Sequence, residues 1–445
     1  MQGKIRAIQE VYQESVFSPS GMTYSMLHYE GDVPRPFEAR DFLGKFYLDS
    51  KVGNLELDGP WDYLHGENSI ATAGSYLHAQ SLRFQATRSR AAWGEARRAF
   101  HALQLIYSMG VEQGKPGFMS KPYGFRPSVQ TSGDQYFYAM HGLLAFHEIA
   151  TPDERALIER MVCDFADYWK SVDYVLSYFG THWDQKGETD SYNAIYAMLN
   201  ATAHRFSKSR AYLREFEQFM ERETWTKTTR IETLRAQVQR ELQETGEVGV
   251  VPYGAPFGLA KDLLRPGEFL CWETTIHSAF VAGSAEAIYR TDPSLLDGKL
   301  PSILAMWWKE WKYGMSEDLM WHYWFAVDLV HDTWRPLPKT EILPRSQWLW
   351  GDPFTSYISQ IRWMDPMARV LIASSIAAEY CPEVAGDADS LMSRILAGLT
   401  PNHLRWLYDP DGTQLMPEID YYGKCLSSEV PAAALSAYWA RQLRA

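Results

Sequence analysis

Ser132-Gly133-Asp134-Gln135, followed by YFYAMHGLLAF over 136–146, decides the fold: a turn-forming pair, an acid, then small and aromatic residues that are apolar on nearly every face of a helix. A helix that is apolar all round must be buried within the domain. The same pattern recurs along the chain. Gly66-Glu67-Asn68-Ser69 precedes IATAGSYLHAQ, and Gly187-Glu188-Thr189-Asp190 precedes SYNAIYAMLNA. Trp272-Glu273-Thr274 precedes TIHSAFVAGSA, and Ser316-Glu317-Asp318 precedes LMWHYWFAVDL. An acid or hydroxyl at such a position is first of all a helix cap, because the first turn carries unpaired N–H groups and a partial positive charge. Repeated inner helices that start at one level also bring their caps to one rim, and that ring of acids is the candidate active site.

Working outward, each inner helix is followed by a short link and an amphipathic helix. Residues 69–88 pair with 90–109, 134–150 with 152–172, 190–206 with 208–224, and 273–290 with 294–312. Thr151-Pro152-Asp153-Glu154 supplies an N-cap, a proline at the first helical position and acids in the first turn. Further helices are expected at 318–332, 364–380, 388–399 and 428–443, with a charged surface helix at 227–246. The reading is all-α, with about twelve long helices and no convincing alternating strands. Residues 1–60 read as an N-terminal arm with a short amphipathic helix, and 61–445 as one catalytic domain. Links between pairs, at 111–132, 173–189, 336–362 and 400–427, are long and rich in Gly, Pro and aromatics, which is where function concentrates.

Composition excludes several classes. Over 445 residues, 46% are hydrophobic and 22% charged, the profile of an ordinary globular protein. A net charge of −12 argues against nucleic acid or an anionic membrane as partner. The four cysteines show no CxxC spacing, so neither a zinc site nor a disulfide framework is expected. No signal-peptide core or membrane-spanning run is visible, which points to the cytoplasm unless the chain has been trimmed. GxSxG, P-loop, GxGxxG and HExxH patterns are all missing, and no cofactor or metal is expected.

Paired helical hairpins with acids at the entrances of inner helices look like the (α/α)6 toroid of the six-hairpin glycosidases. The segment from Ser132 to Met140, preceded by GFMSKPYGFRP, is similar to the one in unsaturated glycuronyl hydrolases where an Asp opens an inner helix ahead of an aromatic and a Met. The resemblance implies that Asp134 is the general acid/base. Gln135 stands where a second Asp is common in that family, and the uronate-binding segment has no copy here.

Glycoside hydrolysis needs one carboxyl group to protonate the leaving oxygen and usually a second to activate water or attack the sugar. Asp190 shares the register of Asp134, and Glu273 opens another inner helix, so these three are the candidate catalytic residues. His182, Trp183, Asp184 and Glu188 crowd into the segment before Asp190 and are candidate sugar contacts. Glu273 to His277 and Asp318 to His322 repeat a spacing of four, which places each pair on one helix face. Trp272 and Trp350 lie at loops or helix starts, where flat rings can stack on sugar faces. Arg126, with Lys121, is placed to read a uronate carboxylate, and Tyr136 follows the Asp134 motif.

The expected activity is hydrolysis of an oligosaccharide, with uronate-containing ones among the candidates. The toroid also carries lyases and sugar epimerases, so a lyase in which Tyr136 or His182 takes a proton beside a neutralised uronate stays open. A sugar-binding or scaffold protein without catalysis is the reading from another class.

Overall fold

The computed structural model describes residues 1–30, 33–42, 51–52, 55–178, 181–188, 190–222, 225, 230–248, 264–272, 274–311, 313–315, 324–336, 365–400 and 425–445. The described chain is mostly helical with a few short strands. It opens with α1 (Gln2–Val11), two antiparallel strands β1 (Met26–Glu30) and β2 (Val33–Arg35), the small ribbon β3 (Lys51–Val52) and β4 (Leu55–Glu56), and α2 (Pro60–Gly66). The helical pairs follow: α3 (Ser69–Thr87) with α4 (Arg90–Glu112), and α5 (Gly133–His147) with α6 (Pro152–Ser171). A hairpin of β5 (Val175–Tyr178) and β6 (Thr181–Asp184) leads through α7 (Gln185–Glu188) to α8 (Asp190–Ser207) and α9 (Arg210–Met220). Next come α10 (Arg230–Thr245), β7 (Glu268–Trp272), α11 (Thr274–Thr291), α12 (Leu300–Trp311), β8 (Trp324–Asp328) and β9 (Thr333–Pro336). The chain ends with α13 (Asp365–Tyr380), α14 (Ala385–Gly398), β10 (Cys425–Ser427) and α15 (Glu429–Arg444).

Residue size separates inner from outer helices. Along α3, every residue from Ser69 to Leu82 except His78 is buried, so the helix has no wet face. Gly74 lets α5 come close: a Cβ there would lie 2.3 Å from the Tyr138 carbonyl oxygen, and one at Gly142 would lie 2.4 Å from the Gly74 oxygen. The outer helices instead bury a single stripe. On α6 it runs Ile158, Met161, Val162, Phe165, Ala166, Trp169, and the helix starts in the expected capping box, with Thr151 and Glu154 bonding each other's backbone N–H.

The apolar helices pack in sequence: α3 on α5, α5 on α8, α8 on α11, α11 on α13, α13 on α15, and α15 on α3. On the outside, α4 covers α3, α9 and α6 cover α8, α12 covers α11, and α14 covers α13. One continuous core extends from Ile5 to Tyr438. The N-terminal segment belongs to it: Ile5, Ile8 and Tyr12 are buried there, and β1 pairs with β10 from the far end of the chain. Among the described residues, no helix is long and apolar enough to cross a membrane.

Two expectations are corrected. The stretch expected as a helix over 318–332 is instead strand and turn where it is described: β8 pairs with β7 in register Phe269↔Val327 and with β9 in register Val327↔Trp334. Phe325, Ala326 and Val327 are all buried, so the run lacks the alternation that marks a half-exposed strand. With α10 the sheet builds a second small core around Ile231, Val238, Phe269, Phe325 and Val327. The segment 173–189, expected as a loop, carries the β5–β6 hairpin.

Candidate functional site

The starts of several apolar helices do meet. Ala71 N–H of α3 donates to Gln135 Oε1 of α5 at 3.1 Å. The Gln135 amide donates one hydrogen to Asn68 Oδ1 at 3.1 Å and the other to Asp134 Oδ2 at 3.1 Å. Gln135 is fully buried, and these bonds satisfy every polar atom of its side chain. That explains a Gln at this position: a carboxylate would lose both donated bonds and place a second negative charge against Asp134. From α15, Ser428 Oγ lies 2.5 Å from Thr72 Oγ1 of α3. From α8, Tyr192 packs where a Cβ on Gly133 would sit, 2.7 Å from its ring.

Asp134 is half-buried in the first turn of α5. It is not at the cap position: Ser132 occupies that position in an extended conformation, and its side chain makes no cap bond. The acid is therefore held by Gln135 and by the field of the helix start while its second carboxylate oxygen is left for other work.

Beside it the 111–132 loop is fixed by buried ions. Lys121 pairs with Glu67, their side chains 4% and 9% exposed, and the Tyr123 hydroxyl donates to Glu67 Oε2 at 2.5 Å. Arg126 pairs with Asp62 at 2.6 Å. Gly124 at φ +58 lets the loop close, since a Cβ would lie 2.6 Å from the Asp62 carboxylate. Tyr136 donates to the Gly117 carbonyl and accepts from Met119 N–H, both at 2.8 Å. Burial pushes its hydroxyl pKa well up. Tyr136 and Lys121 thus hold the loop rather than face a ligand, and Arg126 is committed to an ion pair.

The other expected residues divide into three groups. His182 and Asp184 are exposed on the β6 strand and Trp183 is half-buried against the main core, with Asp184 Oδ1 accepting from Lys186 N–H at 3.0 Å. Asp190 opens α8, Glu188 ends α7, Trp272 ends β7 and His277 lies in the first turn of α11, but their side chains fall outside the described residues. Glu273, Asp318, His322 and Trp350 lie outside them altogether.

Three groups went unread. Tyr138, one turn after Asp134, is buried. Desolvation raises its pKa first, with the charges of Glu429 and Asp134 adding to the rise and Arg369 opposing it. Glu429 opens α15 and Arg369 lies in the second turn of α13, each only 5% exposed. Ser427-Ser428-Glu429 ahead of VPAAALSAYWA is the same turn-plus-acid pattern as the motifs already recognised, so the signal was present. Among the described residues, no group of three or more His, Cys, Asp and Glu is arranged to hold a metal ion. No protein-family model matches the chain, and no curated protein matches it significantly.

Proposed function

We propose that this chain is a glycoside hydrolase built on a six-hairpin (α/α)6 toroid, with Asp134 as its general acid/base. The toroid reading is supported by the packing order of the apolar helices, which leads from α3 through α5, α8, α11, α13 and α15 back to α3. The catalytic reading is supported by the position of Asp134: it spends one oxygen on Gln135, lies past the cap position, and stands one turn before buried Tyr138, whose hydroxyl also feels the charges of Arg369 and Glu429. An acid with a cation and a second carboxylate in its neighbourhood would suit proton donation to a leaving glycosidic oxygen and stabilisation of the positive ring that results. Asp190, which opens α8, and Glu273, which precedes Thr274 in the sequence, are the remaining candidates for the partner carboxylate. The burial of Tyr136 and the exposure of His182 on its hairpin favour hydrolysis over the lyase alternative, which needs one of them as a base.

The test is Asp134→Asn. Asn keeps the side-chain shape and an oxygen for the Gln135 amide, so the melting temperature should stay near wild type while turnover falls about 10²- to 10⁴-fold. Substrates would come from a screen of unsaturated uronides, saturated uronides and neutral glycosides. Wild-type turnover in the variant, or a screen in which no glycoside is cleaved, overturns the proposal.

A further inference from the structure

Along α5 lies a cleft whose lining does not include Asp134. It spans about 1020 Å³, open solvent at its mouth included, and is lined by α3, α5, α11, α13 and α15, reaching Phe137 and Tyr138 one turn after Asp134. A second cleft of about 700 Å³ shares His78, His141, Glu286 and Arg290 with it and reaches α8. Arg290 stands between the two.

Charge in this cleft is already balanced. Arg290 pairs with Glu286 at 3.3 Å and with Glu148 from the end of α5, and Glu148 also accepts from Gln85 at 2.8 Å. Arg444 bonds the Ser375 carbonyl at 3.2 Å and Asp389 at 3.3 Å. A further anion would meet three carboxylates, Glu148, Glu286 and Glu379, and the negative ends of the helices. A further cation would meet Arg290 and Arg444.

What the cleft offers is uncharged. His78 Nδ1 lies 3.2 Å from Ser436 Oγ, and the His78 and His141 rings meet edge to face at 5.7 Å. Burial pushes the His141 pKa down to about 4, against a smaller opposing effect of the Gly283 carbonyl. Burial, then the charge of Arg290 and the neighbouring ring, also hold His78 well below its usual value. His141 Nε2 is buried against Gly283 of α11 and does not open into the cleft, which leaves His78 as the imidazole a ligand can reach. A neutral imidazole presents one donor and one acceptor, the pair that a hydroxyl group matches. Phe137 and Tyr380 add aromatic faces in the same cleft.

We propose that this cleft is a second binding site, one that does not require Asp134, for an uncharged polyhydroxylated ligand of monosaccharide size, whose hydroxyls bond His78 and Ser436. The experiment uses the full chain with D-glucose, D-galactose, myo-inositol and D-glucuronate, binding being read by saturation-transfer NMR and calorimetry. At least one of the neutral probes should bind, and glucuronate should bind more weakly. Ser436→Ala removes one hydroxyl partner and should weaken binding about five-fold, the effect of one hydrogen bond. Ala440→Trp, at the half-exposed mouth, should block the cleft without changing the melting temperature. Asp134→Asn should leave binding intact, which separates this site from the catalytic proposal. Failure of every neutral probe, preference for glucuronate, or binding that ignores Ala440→Trp but disappears in Asp134→Asn overturns the inference.

Discussion

Lys121→Met tests whether the loop beside Asp134 is held by its buried ion pair. The substitution keeps the length of the aliphatic stem and deletes the ammonium group that faces Glu67. Both side chains are more than nine-tenths buried, so the abandoned carboxylate cannot recover its hydration. Breaking a buried pair from one side costs about 3–5 kcal/mol, because an uncompensated charge remains. Tyr123 still donates to Glu67 Oε2, which places the expected loss near the lower end, about 3 kcal/mol. The double variant Lys121→Met with Glu67→Gln removes the charge as well, and should return to within about 1 kcal/mol of wild type. Urea unfolding followed by tryptophan fluorescence gives the midpoint and slope for the four proteins of the cycle. A loss below about 1 kcal/mol in the single variant, or a double variant as unstable as the single one, refutes the reasoning. The first result would mean that water reaches Glu67, and the second that Lys121 acts by packing.

Two other perturbations follow from the geometry. His65 and His141 both have pKa values lowered to about 4 by burial, so below the unfolded value near 6.5 the unfolded chain binds protons that the folded chain refuses. Stability should therefore be flat above about pH 6.5 and fall as the pH drops from there to about 4, by about 3 kcal/mol for each histidine; urea midpoints unchanged between pH 7 and pH 5 would refute this. Gly74→Ala places a methyl group 2.3 Å from the Tyr138 carbonyl oxygen, where backbone must move, and should cost at least 1–3 kcal/mol or abolish soluble expression. A thermal shift under 2 °C would show that α3 and α5 can separate freely.

Helices were legible where one local signal was enough. All-face burial marked α3 and α5, and Thr151-Pro152-Asp153-Glu154 fixed the start of α6. Pairings across the chain were not legible. β1 joins β10 nearly 400 residues away, and nothing local in Met26–Glu30 names its partner. β8 was misread as helix because a strand buried on both faces and a buried helix show the same unbroken apolar run. The candidate site divides in the same way. Asp134 was visible as an acid at a helix start, but only coordinates show that Ser132 holds the cap position instead. Lys121 and Arg126 looked like free cations ready for a uronate, since the sequence does not reveal that Glu67 and Asp62 stand opposite them.

That division bears on where an acidic substrate would be recognised. With Lys121 and Arg126 committed to ion pairs, the cation whose charge reaches the buried Tyr138 hydroxyl alongside that of Asp134 is Arg369, which no motif announced because it sits inside the apolar run of α13. Its position is matched by Glu429 on the next apolar helix, and both act on the buried Tyr138 hydroxyl. An arginine and a glutamate in so dry a place are costly to bury, and a structural pair of apolar residues would serve packing as well. Both, like Asp134, act on Tyr138, which lies one turn after Asp134 on α5; on the proposed reading a cation there would hold an anionic group of the sugar, and a carboxylate would offset the positive charge that develops on the ring as the leaving oxygen takes its proton. Asp134, Arg369 and Glu429 come from α5, α13 and α15, so their charges reach Tyr138 together only when these helices are packed in one core. This is why the sequence displays its parts and not the site.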